Sequence, residues 1–360
     1  MSRPKAYFIN GGAGRVICSI PAFEKLSETD DDFIIVCEGG MDFYKGHPKL
    51  HNRAYDNWHK GLFEQHIKHR DIISPEPYRV WEYYNQKCNL AQAFDLEINK
   101  QGLRTLPSPT IVLNKMEIAQ AYNIVQEVKA KTGFDKTIVI QPFGRGVQNM
   151  GEMVVDASSR SINLINVLDI INELKKEYAI ILMSEFPIEL EERDTGKYPV
   201  AMPMISDIRV WAGIIDIADH FVGVDSVGQH IAYAFNKTAT VITGSTYPVN
   251  ISYPECKDFD IFDIGKNKRV YDPIRISIED EVQRANDEVM EMDKFKMHEI
   301  ISSIRKRIGK STKFKGKFVP PAEETACCST PQPTALSQPG EHKFSIANNS
   351  LVPLQNKEIK

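Results

Sequence analysis

Apolar residues in this chain form short continuous runs alternating with stretches of helical spacing, most regularly beyond Lys136. Thr137 to Gln141, Tyr178 to Met183, Phe221 to Asp225 and Thr238 to Thr243 are apolar at nearly every position, as strands buried on both faces must be. Between them, Ile162 to Lys176, Asp207 to Ile217 and Gly228 to Phe235 repeat apolar residues with helical period. This alternation predicts an α/β domain with a doubly wound parallel sheet. A shorter version opens the chain: strand Ala6 to Asn10, turn Gly11-Gly12-Ala13-Gly14, a helix marked by Val16, Ile17, Ile20, Phe23 and Leu26, then strand Phe33 to Cys37 closed by Glu38. The crossover rule makes those two strands parallel. From Met41 to about Pro109 the pattern is aromatic-rich and irregular and predicts no order of elements. A long polar helix is expected over Ile278 to Ile308.

Length divides this pattern. At 360 residues the chain exceeds one ordinary core and suits two domains of roughly 130 to 180 residues. The expected boundaries are 1–133, 134–277, a terminal helix over 278–309 that packs back on the first domain, and a tail over 310–360. That tail is basic (Lys310, Lys313, Lys315, Lys317), then rich in Pro, Ser, Thr and Gln, a composition that predicts disorder. No apolar run approaches the ~20 residues of a membrane span, and no signal-peptide core opens the sequence, so a cytoplasmic monomer is expected. The six cysteines show no zinc spacing and read as free thiols, with no role for Cys327 and Cys328. A net charge of -4 argues against a chain-wide nucleic-acid surface.

Candidate chemistry lies at two turns. The glycine turn at Gly11, Gly12 and Gly14 lets backbone approach a ligand and aims helix N–H groups at negative charge. It lacks the Gly-Lys-Ser/Thr of a P-loop, and Ile17 occupies the third glycine position of a dinucleotide fingerprint, although Glu38 stands where a ribose-binding carboxylate belongs. Arg15 opposes the positive end of the helix that follows, and is expected either in solvent or against a phosphate. In the second half a buried strand delivers Asp225 to the carboxyl edge of the sheet, where ligands of such folds bind. Ser226 to Gly228 then open a helix whose amides suit a pyrophosphate, and His230, one turn on, is placed to add a donor or positive charge.

In order and spacing, these segments resemble glycosyltransferase family 9, the ADP-heptose:lipopolysaccharide heptosyltransferase group. The resemblance covers the glycine turn with Ser19-Ile20-Pro21-Ala22-Phe23, then Gln141-Pro142-Phe143-Gly144, Ser158-Ser159-Arg160-Ser161, Ile180 to Glu185, Asp225 to His230, and Val241 to Thr246 with Pro248. It implies a GT-B-like fold of two Rossmann-like domains facing a cleft. It also implies a nucleotide-diphosphate sugar as co-substrate, with no other cofactor, and a saccharide or glycolipid acceptor. By the same resemblance Gly144, Arg160, Glu185, Ser206, Asp225, Ser226, Gly228 and His230 bind the donor, Arg160 standing for a phosphate-binding lysine, Glu185 meeting the nucleoside and Ser206 lining the base pocket.

Two positions depart from the family pattern: Val227 displaces a glycine to Gly228, and Arg15 stands where the family has its general-base aspartate. Arginine stays protonated and cannot take a proton from an acceptor hydroxyl. The replacement expected is Glu38, with Asp42 and His47 behind it; an acceptor of different needs, or binding without transfer, are the alternatives. No Asp-x-Asp motif lies at an expected sheet edge, Asp30-Asp31-Asp32 being an acidic turn, so metal-independent inverting transfer is expected. Diphosphate charge would then be met by Arg160, His230 and helix amides. A further alternative makes nucleic acid the acceptor, or an anionic membrane face a peripheral contact, through Arg305-Lys306-Arg307 and the basic run after it.

Overall fold

The computed structural model describes residues 3–149, 154–156, 158–188, 199–270, 288–316 and 318. The first sheet is built from β1 (Lys5–Ile9), β2 (Phe33–Cys37), β3 (Ala54–Asp56) and β4 (Asp71–Ile73), all parallel, in the order β3-β2-β1-β4. β1 and β2 register as Lys5 opposite Phe33 through Ile9 opposite Cys37, so their carboxyl ends, and with them the glycine turn and Glu38, finish side by side. Helix α1 (Ala13–Leu26) returns across this sheet, burying Val16, Ile17, Ile20 and Phe23 against β1 and α2 (Leu90–Asn99).

Helix α3 (Lys115–Thr132) starts at a capping box, Asn114 with Glu117, and ends at Gly133 in the left-handed region. It lies before the boundary expected at 133/134, yet packs on α5 (Ile208–Ile217) of the second half. There, β5 (Thr137–Gln141), the β6–β7 hairpin (Val147–Asn149, Val154–Asp156), α4 (Leu164–Leu174), β8 (Ala179–Leu182), α5, β9 (His220–Val224), α6 (Val227–Ala234), β10 (Ala239–Thr243) and β11 (Phe259–Asp263) follow in turn. Its five parallel strands run in the order β11-β10-β9-β5-β8. Numbered within the sheet this is 2-1-3-4-5, the flavodoxin-like arrangement, with its switch point between β5 and β9. The mixed α/β architecture with two parallel sheets agrees with the expected fold class.

One buried apolar cluster runs from Tyr7 and Phe23 through α1 to Val210, Phe221 and Ile231, so the two halves share a core at their seam. The terminal helix is shorter than expected. Asp293 accepts from the Lys296 N–H at 2.7 Å and starts α7 (Lys294–Ile308), while residues 288–290 form a turn. Residues 271–287, which include the first ten of the helix expected over 278–308, lie outside the described residues, as does the tail from 319 with Cys327 and Cys328. Contrary to expectation α7 packs on the second half, burying Met297, Ile300, Ile301 and Ile304 with Ile170, Ile171 and Leu174 of α4. Its charges follow: Arg305 pairs with Glu173 and Glu177, and Arg307 with Asp260. Arg305 and Arg307, two of the cations expected to serve nucleic acid or an anionic surface, are thus already paired in place.

Candidate functional site

The carboxyl edges of both sheets meet at the seam. On the first side the Gly11 N–H donates to Glu38 Oε2 at 2.6 Å, fixing an exposed carboxylate beside the glycine turn. Asp42 and His47, expected behind it, each have other partners. Asp42 pairs with Lys45, while buried His47 pairs with Glu24 at 2.9 Å and its Nδ1 accepts from the Lys49 and Leu50 amides. The Asp30–Asp32 turn sits at the amino end of β2, away from this edge, where Asp32 pairs with Arg70.

Arg15 is neither in solvent nor facing the seam. It is 7% exposed and turned into the first half, its guanidinium 4.9 Å from the Tyr78 ring centroid, 5.6 Å from that of Phe94 and 3.7 Å from Glu76. Cation–π contact in a desolvated setting stabilises this by about 2 kcal/mol. Arg15, expected in solvent or against a phosphate, is here a buried, inward-facing cation.

On the second side, Gln141 at the end of β5 bridges the switch point. Its Oε1 accepts from the Gly228 N–H at 2.9 Å and its Nε2 donates to Ser226 Oγ at 3.1 Å. The Gly228 amide, expected to meet a pyrophosphate, is therefore spent on Gln141. A side chain at 228 would collide with Gln141 Oε1 and the Phe221 ring, which is why a glycine stands there. Gly228→Ala is expected to cost about 1–3 kcal/mol by overpacking; urea denaturation checks this, and an unchanged midpoint would refute the packing account.

Asp225, 8% exposed, lies 3.7 Å from Arg160 Nη1 through Oδ2 and accepts from Gln229 Nε2 at 3.5 Å through Oδ1. Gly144 packs against Arg160 and its N–H donates to Ser161 Oγ at 2.9 Å. Arg145, which the sequence did not single out, reaches over the seam until a Cβ placed on Gly12 would lie 2.8 Å from its Nη1. Glu185 is exposed after β8, two ladders from β9 and hence about 10 Å along the same edge. Ser206 is exposed immediately before Asp207, which caps α5 by accepting from the Arg209 N–H. Glu185 and Ser206 stand outside the hydrogen-bonded group around Asp225.

His230 departs most from expectation. It is 5% exposed and packs against α1, where a Cβ on Gly14 would lie 3.2 Å from its ring. Its Nδ1 shares a 2.8 Å hydrogen bond with the Tyr253 hydroxyl and lies 3.5 Å from Cys18 Sγ. Burial pushes its pKa down to about 4, against the pull of the Asp225 charge, so at neutral pH it is an uncharged ring and brings no positive charge to a phosphate. Burial likewise pushes Cys18 up to about 12, leaving a thiol rather than a nucleophile.

Among the described residues no three His, Cys, Asp or Glu side chains are grouped to hold a metal ion, and no helix is long and apolar enough to cross a membrane. A depression of about 340 Å³ lined by residues of the 46–53 loop includes none of the seam residues.

No protein-family model matches the chain, and no curated protein matches it in sequence. Solved structures do match. The glycosyl transferase family 9 protein of Veillonella parvula DSM 2008 is 12% identical, with a TM-score of 0.59 over 86% of this chain and 98% of that one. The E. coli ADP-heptose LPS heptosyltransferase II is also 12% identical, with a TM-score of 0.56 over 84% and 98%. The iron-containing dodecameric glycosyltransferase TibC of enterotoxigenic E. coli H10407 is 11% identical, with a TM-score of 0.53 over 85% and 77%. At such identities the likeness is one of fold: this chain has the two-lobed α/β fold of those glycosyltransferases.

Proposed function

We propose, from that fold and the seam just described, that this protein is a glycosyltransferase. A nucleoside diphosphate sugar binds at the switch point of the second sheet and an acceptor on the first half. The observation that carries the reading is Gln141 joining the ends of β5 and β9, with Asp225, Arg160 and Arg145 converging on the same edge. Guanidinium groups suit a diphosphate because their fork matches its oxygens, and the transfer proposed is metal-independent.

In the inverting reaction proposed, an acceptor hydroxyl oxygen attacks the anomeric carbon. The bond from that carbon to the diphosphate oxygen breaks, and the nucleoside diphosphate leaves with the electron pair. Arg145 and Arg160 offset the charge that develops on it. Glu38, held by the Gly11 N–H on the first half, takes the acceptor proton. A heptose donor and a saccharide acceptor are the starting candidates, since one solved relative is an ADP-heptose LPS heptosyltransferase.

The second reading, binding without transfer, is favoured by one observation: Arg15 is buried at the position where the resembling family carries its base. Thermal-shift and turnover screening against a panel of nucleotide sugars separates the two. Glu38→Gln is expected to retain binding and lower turnover by about 10²–10⁴-fold, whereas Asp225→Ala is expected to abolish the thermal shift. Binding of a nucleotide sugar without turnover on any acceptor would favour the second reading. No shift with any member of the panel would refute both.

A further inference from the structure

Two arginines reach the carboxyl edge of the second sheet on separate loops, and one carboxylate holds both loops. Asp156, at the end of β7, accepts from the Ser158 N–H at 2.8 Å, the Ser161 N–H at 3.0 Å, the Arg160 N–H at 3.4 Å and both serine hydroxyls. The Ser161 hydroxyl that donates to Asp156 also accepts from the Gly144 N–H, tying the second loop to the first. The first loop wraps directly on the same carboxylate: a Cβ on Gly146 would lie 2.7 Å from Asp156 Oδ1, and one on Gly144 would lie 3.4 Å from Oδ2. Between those glycines stands Arg145. On the second loop Arg160 donates through Nε to Ser158 Oγ at 3.0 Å, which aims its outer nitrogens at Asp225. Ser245 Oγ donates to the Ser158 carbonyl and anchors the arrangement to the loop after β10.

Burial raises the Asp156 carboxyl, but the hydrogen bonds from Ser158 and Ser161 outweigh it and hold the group below its ordinary range, so it is ionised at neutral pH. An ionised carboxylate accepts at both oxygens from N–H and O–H donors, whereas an amide offers one accepting atom. The Gly228 amide is spent on Gln141 and His230 is uncharged, so of the donors described at the switch point the two arginines carry the positive charge.

We infer that Asp156 is a positioning residue that organises Arg145 and Arg160 into a clamp for the diphosphate of a nucleotide ligand, Arg145 closing it from the side of the first half. The inference rests on the donor site proposed above. It is tested by titration calorimetry of the full chain with ADP, GDP, UDP and CDP, and by ligand-observed NMR with the matching nucleosides. The variants are Arg145→Ala, Arg160→Ala, Asp156→Asn and the double variant Asp156→Asn/Arg160→Ala, with melting temperatures recorded for each.

Each single change is expected to weaken the preferred diphosphate about tenfold to a hundredfold, the range of charge-assisted hydrogen bonds, while nucleoside binding stays within about twofold of wild type. Because Asp156 acts through Arg160, the double variant is expected to bind much less weakly than additive losses would give. Three results overturn the inference while leaving the donor site intact: Asp156→Asn binding like wild type, equal losses for nucleoside and diphosphate, or fully additive losses. Wild-type protein that binds none of the four diphosphates overturns the donor site as well. Should Asp156→Asn melt early, the two arginine variants decide, since full diphosphate affinity in both refutes the clamp.

Discussion

Replacing Arg209 with alanine is expected to destabilise the protein by about 3–5 kcal/mol, the range for breaking a buried ion pair from one side. Arg209 is 3% exposed and ties three parts of the chain together. From the first turn of α5 it donates through Nε and Nη2 to both carboxylate oxygens of Glu117 on α3, at 2.6 and 2.9 Å. Its Nη1 donates to the Asp42 carbonyl of the first half at 2.8 Å, and Nη2 also donates to the Val112 carbonyl. Truncation takes the cation from a buried carboxylate, which keeps only the Asn114 N–H, and takes a donor from the Val112 and Asp42 carbonyls. Burial pushes the Glu117 carboxyl up, but Arg209 and the Asn114 amide outweigh it and hold it below its ordinary value, so without Arg209 the group must stay buried and charged with the Asn114 N–H alone or take up a proton. Urea denaturation measures the loss. Replacing both partners with leucine or methionine is expected to recover much of it, because no orphaned charge then remains. An alanine variant within about 1 kcal/mol of wild type would show that this junction does not bind the halves together.

The second large effect is on acid stability. Burial pushes His220 down to about 3, with Asp260 opposing and Arg307 assisting, and pushes His230 down to about 4. His220 is held neutral between the Thr238 and Thr240 hydroxyls, both at 2.9 Å. Folded-state values below the unfolded one mean that the unfolded chain binds more protons as pH falls. The contribution of each ring is therefore intact above about pH 6.5, the free-histidine value, and is lost progressively down to the folded values. At about 1.4 kcal/mol per pH unit for each ring, the two together cost about 4 kcal/mol at pH 5. Urea midpoints from pH 7.5 to 5 check the slope, and proton NMR of the imidazole rings checks its source. A ring that titrates near 6.5 in the folded protein would remove its share of the effect.

Much of this fold was legible in the chain. Strands buried on both faces, such as β5, β8, β9 and β10, are written as unbroken apolar runs, and periodicity placed α4, α5 and α6 within a few residues of where they lie. What escaped has a physical reason in each case. Strands β3 and β4 are three residues long, too short for any period to register. Helices α2 and α3 lie in a stretch read as irregular or left unassigned. Their starts were nonetheless marked, by Asn89 with Gln92 and by Asn114 with Glu117, and α3 ends at Gly133. Capping boxes there carried the signal, and in α3 the hydrophobic periodicity is weak.

The site divides in the same way. Sequence by itself determined that Asp225 would stand at the carboxyl edge of a parallel sheet with a helix starting beside it, because a buried strand followed by a small-residue turn permits little else. It also placed Glu38 next to the glycine turn, since neighbouring parallel strands end together. The direction each side chain takes was a matter for the tertiary structure alone. Arg15 turns inward because Tyr78 and Phe94, distant in sequence, offer it ring faces. His230 is uncharged because α1 of the other half buries it, and the Gly228 amide is spent because β5 delivers Gln141 beside it. Local pattern sets which residues reach an edge; desolvation and partners contributed from far along the chain set their charge and their free hydrogen-bonding groups.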